Sequence, residues 1–178
     1  MTGTVRTVTR PLTDRLADDL DGAFADFVSE LQVDVYSGMR RLHPRDAEDL
    51  TQEAFIRAYQ ALQGYDDDRI RDLNLRGWVW TIALNLGRNH ARDRSRRPQP
   101  VELHDSHPTH DADPPDQAAW DRRFAALSPR QRTAVVLRHV VGLPYEDIAT
   151  ALDRPVGTVK ADVHRGLARL RTIISEET

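Results

Sequence analysis

Apolar residues recur along the first half of the chain at helical steps. Between Asp21 and His43, the residues Phe24, Phe27, Val28, Leu31, Val35 and Met39 stand mostly three or four positions apart, the spacing of one buried helix face. Pro44 stops that helix, because proline lacks an amide proton and clashes with the preceding turn. A second helix is predicted from Asp46 to Leu62, closing at Gly64. Turned at about 100° per residue, it places Ala47, Leu50, Ala54, Ala58 and Ala61 on an inner stripe. Asp49, Gln52, Glu53, Ile56 and Gln60 face outward. Residues 65–73, YDDDRIRDL, read as a polar loop. A long third helix is predicted from Asn74 to Arg97. Leu75, Val79, Ile82, Ala83 and Leu86 turn inward, and Asn85, Arg88, Asn89 and Arg92 line a polar side. Pro98 and Pro100 end it.

The pattern then breaks. Residues 98–117 hold five prolines and no hydrophobic period, the composition of a flexible linker. Beyond it, helices are predicted over 118–126 and 129–141, the second opened by Ser128 as N-cap with Pro129 at the first helical position. The stretch YEDIATALDRPVGTVKADVHRGLARLR, residues 145–171, reads as two short helices joined by a tight turn, a helix-turn-helix. Its first helix turns Ile148, Ala149 and Leu152 inward. Asp153 and Arg154 make the turn, where aspartate tolerates a left-handed backbone. On the second helix Val156, Val159, Val163, Leu167 and Leu170 share one side. Thr158, Ala161, His164, Arg165 and Ala168 share the other, with Lys160 at the flank. Pro155 pre-sets the backbone but offers no capping oxygen. The expected fold is all-α: two small helical domains, 20–97 and 117–175, joined by a linker over 98–116. A Thr-rich segment of little periodicity, 1–19, precedes them and is expected to be flexible.

Composition sharpens this picture. Apolar residues make up 39% and aromatic residues 6% of the chain, so the core is expected to rest on Ala, Leu, Val and Ile. The absence of cysteine excludes disulfides and thiolate metal sites and fits a reducing cytoplasm. No run of about 18 apolar residues and no signal-peptide pattern occurs, so no membrane insertion is expected. A net charge of −3 conceals blocks of opposite sign. Residues 88–97 carry five arginines against Asp93, residues 122–138 five arginines and no acid, and residues 102–116 five acids and no Arg or Lys. Such blocks mark separate surfaces, the basic ones suited to phosphate. The plainer alternative is solvated helix faces.

The helix-turn-helix supplies the clearest chemistry. A recognition helix enters the major groove by its N-terminal end, where Thr158, Lys160, His164 and Arg165 meet base edges and phosphates. Ala161 and Ala168 let the backbone come close. Asp162 is repelled by phosphate, so it must point aside or pair with a base such as Arg165 or Arg169. The competing reading is an ordinary helical hairpin with a wet face. In the linker, HDSHPTHDAD offers His104, His107, His110, Asp105, Asp111 and Asp113 as metal ligands. Their spacing matches no closed site, and a loose strap holds no ligand rigid. An acidic spacer is the simpler reading. Without a glycine-rich phosphate loop or nucleophile motif, no catalytic residue, metal or cofactor is expected.

Three blocks, DAEDLTQEAFIRAYQAL, LRGWVWTIALNLGRNHARDRSRR and LSPRQRTAVVLRHVVGLPYEDIATALDRPVGTVKADVHRGLARLR, together resemble the extracytoplasmic-function sigma factors of bacterial RNA polymerase, in the sigma-70 family. The likeness covers nearly all of residues 21–174 in the family's order, with a linker in its place. It implies regions 2 and 4 of a non-enzymatic, dissociable subunit that directs core polymerase to promoters. Asp49, Gln52, Glu53, Ile56 and Arg57 are then implied to dock on the clamp of the largest catalytic subunit. The outward Ile56 among acids and amides itself suits a partner surface with an apolar centre and polar rim.

Tyr65, Asn85, Arg88, Asn89 and Arg92 are implied to melt and hold the −10 element. Extruding a base costs a few kcal/mol, which a basic track and a base pocket offset. Asn85 matches a position near the flipped base. Tyr65 opens the family's specificity loop, where it is expected to stack on a base. Trp78 matches a family tryptophan, and Trp78 and Trp80 are expected to pack rather than stack on bases. Thr81 stands where many members have Arg.

For the −35 duplex, Arg130, Arg138, Lys160, Arg165 and Arg169 are implied phosphate contacts, with Thr158 and Ala161 alongside and His164 and Arg165 at base edges. The resemblance further implies contact with the flap of the second catalytic subunit, a cytoplasmic location, and an anti-sigma factor that masks both domains and in some members holds them at the membrane. The rival reading is a helix-turn-helix regulator that does not join polymerase. It leaves the DLTQE helix and the Trp-containing helix unexplained.

Overall fold

The computed structural model describes residues 10–96 and 117–177. The stretch assigned as linker, with its histidines and aspartates, lies outside them. In chain order the helices are α1 (Leu12–Asp18), α2 (Leu20–Leu42), α3 (Ala47–Gln63), α4 (Asp67–Arg71), α5 (Leu75–Arg96), α6 (Gln117–Ala125), α7 (Pro129–Val135), a π-turn (Val136–Val140), α8 (Tyr145–Leu152) and α9 (Val156–Glu176). The described residues are helical with short connections, as the periodicity predicts.

In the first unit α2, α3 and α5 pack along the predicted stripes. Phe27, Leu31, Val35, Met39, Ala47, Leu50, Ala54, Ala58, Val79, Ala83 and Leu86 are buried. Phe55 and Leu62 extend the buried face of α3 beyond the expected alanines. The aromatics are few but concentrated here, which departs from an aliphatic core. The Phe27 ring lies 5.6 Å from Phe55, 5.5 Å from Phe24 and 6.4 Å from Trp78, and Phe24 lies 4.9 Å from Tyr59. Alanines bring the helix backbones close, and the rings fill the space that remains.

Two local expectations are corrected. Residues 12–18, read as part of a flexible segment, form α1, because Leu16 is wholly buried in the core. Residues 65–73, read as loop, contain α4. Asp66 caps it by accepting from the Arg69 amide at 2.8 Å, and Ile70 is buried beneath it. The acidic run is therefore helix-start chemistry, favoured by the positive end of the helix dipole. An ion pair of Arg71 with Asp18 at 2.9 Å ties α4 to α1.

In the second unit Ser128 and Gln131 form a reciprocal capping box at the start of α7. The predicted helix over 129–141 keeps its course but loosens to π geometry after Val135. Gly166 lets α9 approach α7, since a Cβ there would stand 2.6 Å from Val135 Cγ2. Asp153 adopts the left-handed backbone expected of the turn, with φ 52° and ψ 56°. Val159, Val163 and Leu170 are buried, as are Ile148, Ala149 and Ala151.

The two units meet along α5 with α8 and along α2 with the π-turn. Trp80, fully buried, lies over Gly38, where a Cβ would strike the indole and come 2.9 Å from Val141 Cγ2. Arg76 donates to Asp34 Oδ2 at 2.6 Å and to the Val141 carbonyl. Arg41 donates to Asp121 Oδ1 and Gln117 Oε1, each at 2.9 Å.

Candidate functional site

The outward side of α3 gathers Asp49, Gln52, Glu53, Ile56 and Arg57 as the helical period requires. Ile56 is 52% exposed at its centre. Arg57 Nε donates to Glu53 Oε1 at 2.7 Å, an i,i+4 pair that fixes one rim of the face. A shallow groove runs from this face to α5, lined by Asp49, Glu53, Arg57, Leu86, Asn89 and His90. The α3 face and the polar side of α5 thus form one continuous surface.

Along α5, Asn85, Arg88, Asn89 and Arg92 are exposed on that polar side. The Arg88 guanidinium donates to Asn85 Oδ1 at 2.6 Å, so the amide oxygen of Asn85 is already engaged while its N–H donors stay available. Tyr65 lies apart from this set. Its ring is half-buried beneath the Arg69 guanidinium at 3.6 Å and lies 6.1 Å from Trp78. A base stacking there must displace Arg69. Trp80 and Trp78 occupy packing positions.

Where the N-cap residue of α3, Asp46, meets α5 sits a polar cluster that the sequence did not single out. Asp46 accepts from Arg94 at 2.9 Å and stands 3.3 Å from His90 Nε2. His43 packs against Gly87. Burial holds its imidazole below the ordinary histidine range, against the pull of Asp46 and with the push of His90 and Arg132.

On the helix-turn-helix, Thr158, Lys160, His164, Arg165, Ala168 and Arg169 are exposed and Ala161 is half-exposed. Arg130 is exposed in the first turn of α7. Arg138 lies on the π-turn, donating to the Leu143 carbonyl at 2.9 Å with its guanidinium 4.8 Å from the centre of the Tyr145 ring. Lys160 Nζ stands 5.4 Å from the centre of the same ring. Tyr145 therefore gathers two of the predicted phosphate contacts. Nothing in the sequence pattern singled Tyr145 out for this role, because its ring meets Arg138 and Lys160 only once the elements pack. Asp162 is buried, and pairs with Arg165 at 2.8 Å, one of the two partners expected for it, and with Arg154 of the turn at 3.2 Å. The side chain of Pro155 leaves the start of α9 without a capping bond, as its chemistry dictates.

Among the described residues no group of three or more His, Asp or Glu side chains is placed to hold a metal ion. None of their helices is long and apolar enough to cross a membrane.

Residues 27–97 match the family described as sigma-70 region 2, and residues 117–170 match sigma-70, region 4. The RNA polymerase sigma-E factor of Streptomyces coelicolor is 36% identical over 152 residues, covering 83% of this chain and 84% of that protein. The ECF RNA polymerase sigma factor SigE of Mycolicibacterium smegmatis is 36% identical over 143 residues, which is 75% of this chain and 53% of that longer protein. Among solved structures, the sigma factor RpoE of Bartonella quintana, in complex with the anti-sigma factor NepR, superposes with a TM-score of 0.64 at 24% identity, covering 89% of this chain and 98% of that one.

Proposed function

Since the chain belongs to the extracytoplasmic-function sigma factors of the sigma-70 family, non-enzymatic RNA polymerase subunits that act in transcription initiation, we propose that α3 docks on core polymerase while α5 and α9 read two promoter elements. The observation that carries this reading is Ile56, an aliphatic side chain more than half exposed at the centre of a polar rim. Interfaces concentrate their energy in such a centre and use the rim to exclude water. The groove from Glu53 to Asn89 brings promoter-facing residues against the polymerase face, so one rigid unit couples binding of the enzyme to binding of the −10 strand.

Asn85, Arg88, Asn89 and Arg92 form the track for that strand. Tyr65 joins it only once Arg69 has moved off its ring. Arg130, Arg138, Lys160, Arg165 and Arg169 hold the −35 duplex by its phosphates, and His164 and Arg165 reach base edges. The clamp and flap of core polymerase are the proposed docking points for α3 and for the helix-turn-helix unit. An anti-sigma factor, the class of partner bound to the Bartonella quintana relative, is the proposed inhibitor.

Ile56→Glu tests the reading. The variant is expected to fold normally and to lose core polymerase affinity about 30-fold or more, as removal of an interface hot spot does. Arg165→Ala is expected to keep core affinity and lose promoter preference. Full core affinity in Ile56→Glu contradicts the assignment of α3.

A further inference from the structure

Asp162 sits at an unfavourable place for a DNA-reading helix, one residue after Ala161 and two before His164. Its side chain is only 8% exposed, whereas that of its partner Arg165 is 60% exposed. One carboxylate oxygen accepts from Arg165 at 2.8 Å, and the other accepts from Arg154, across the turn, at 3.2 Å. The two guanidiniums thus reach the same buried carboxylate from two elements, one from the recognition helix and one from the turn before it. Together the three groups carry two positive charges and one negative. The single positive charge left over is directed outward through the exposed part of Arg165.

We propose that Asp162 is a positioning residue for promoter recognition, its buried carboxylate holding Arg165 and Arg154 so that the free edge of Arg165 meets the upstream duplex in one fixed orientation. The inference rests on the assignment of α9 as the duplex-reading helix. A guanidinium is a planar fork with five donors. With one donor held by Asp162, the remaining edge has a defined direction, which a bidentate base contact needs. An untethered arginine still reaches phosphate, but it does so in many orientations and discriminates poorly between bases.

The alternative role for Asp162 is that of a negative charge which merely weakens DNA binding. The two roles have opposite signatures. Removing a repelling charge tightens binding to every duplex alike and steepens the salt dependence by about one counterion. Removing a clamp lowers discrimination at particular base pairs.

The test uses holoenzyme assembled from core polymerase and the full chain. The probe is a pool of linear duplexes randomised upstream of the start region, sequenced before and after selection. With Asp162→Asn, base preference is expected to flatten at the same positions that Arg165→Gln flattens. There the ratio of preferred to mismatched duplex falls about fivefold or more, the lower end of the effect of losing one good base contact, while preference elsewhere holds. Salt-dependent binding to unselected duplex is expected to be equal or tighter. An unchanged preference profile with uniformly tighter binding overturns the proposal. The Arg154→Gln, Asp162→Asn double variant removes the buried charge together with one of its partners. It carries the same expectation should the single variant lose helicity. If the unaltered chain selects no upstream element, the assignment of α9 fails. If it selects one and Asp162→Asn selects it equally well, only the positioning role fails.

Discussion

Trp78 and Trp80 stand two positions apart on α5 and serve different neighbours. Trp78 joins the ring cluster of the first unit, while Trp80 is wholly buried over Gly38 and beside Val141. Trp80→Ala is expected to cost about 3–5 kcal/mol, read as a fall in the thermal or urea midpoint. Gly38→Ala is expected to cost about 1–3 kcal/mol by overpacking against the same indole. Both losses are checked in the same unfolding experiment. That the tryptophans pack was legible from the large apolar area such rings bury. That one of them spans two units was not, because nothing in a helical period says that Val141 of the second unit will lie beside it.

His43 makes a pH-dependent contribution at the same scale. Its folded value lies below the unfolded one of about 6.5. Between the two values the unfolded chain binds more protons, so stability rises with pH. The contribution is complete above the unfolded value and is lost as pH falls through it toward the folded one. His43→Gln is expected to flatten this part of the stability profile measured by urea midpoints. Parallel profiles for variant and parent contradict it.

Among the elements, the strong periods of α2, α3, α5 and α9 were readable because each carries four or more turns with one apolar face. α1 was not, since seven residues with two leucines hold too little pattern, and its helix is stabilised by what Leu16 meets in the folded chain. The π-turn after α7 was equally hidden, because α and π geometry use the same residues. The turn between α8 and α9 was legible from Asp153. Its left-handed backbone leads to a direct expectation: Asp153→Gly changes stability little, whereas Asp153→Val costs about 1–2 kcal/mol through the clash of a branched Cβ with its carbonyl. Thermal unfolding of the two variants checks it, and equal midpoints contradict it. The Asp162 clamp was half-legible. Arg165 lies one helical turn away on the same helix, but Arg154 reaches it only because the turn folds back.

At the scale of the whole molecule, the two units share a seam that no local pattern announces. Arg76 stands 42 residues from Asp34 and 65 from Val141 in the chain. Arg76→Met is expected to release the Val141 carbonyl and speed amide exchange at Val141 and Leu143, with exchange at Val79 and Ala83 unchanged. Unaltered exchange at Val141 contradicts the role of Arg76 in the seam. The wider organisation, two helical units in the order of regions 2 and 4, was readable because three separate motif blocks occur in sequence. The α3 face and the α9 face differ in character as they do in proposed role, one an aliphatic centre in a polar rim, the other a row of cations among short side chains.

The most direct measurement is in-vitro transcription with core polymerase on a pool of genomic promoter fragments, with and without the purified chain and free of any inhibitor. Discrete start sites absent from the bare core, sharing two upstream sequence elements and lost with Ile56→Glu, are the expected result. A transcript pattern identical to that of core polymerase alone contradicts the account.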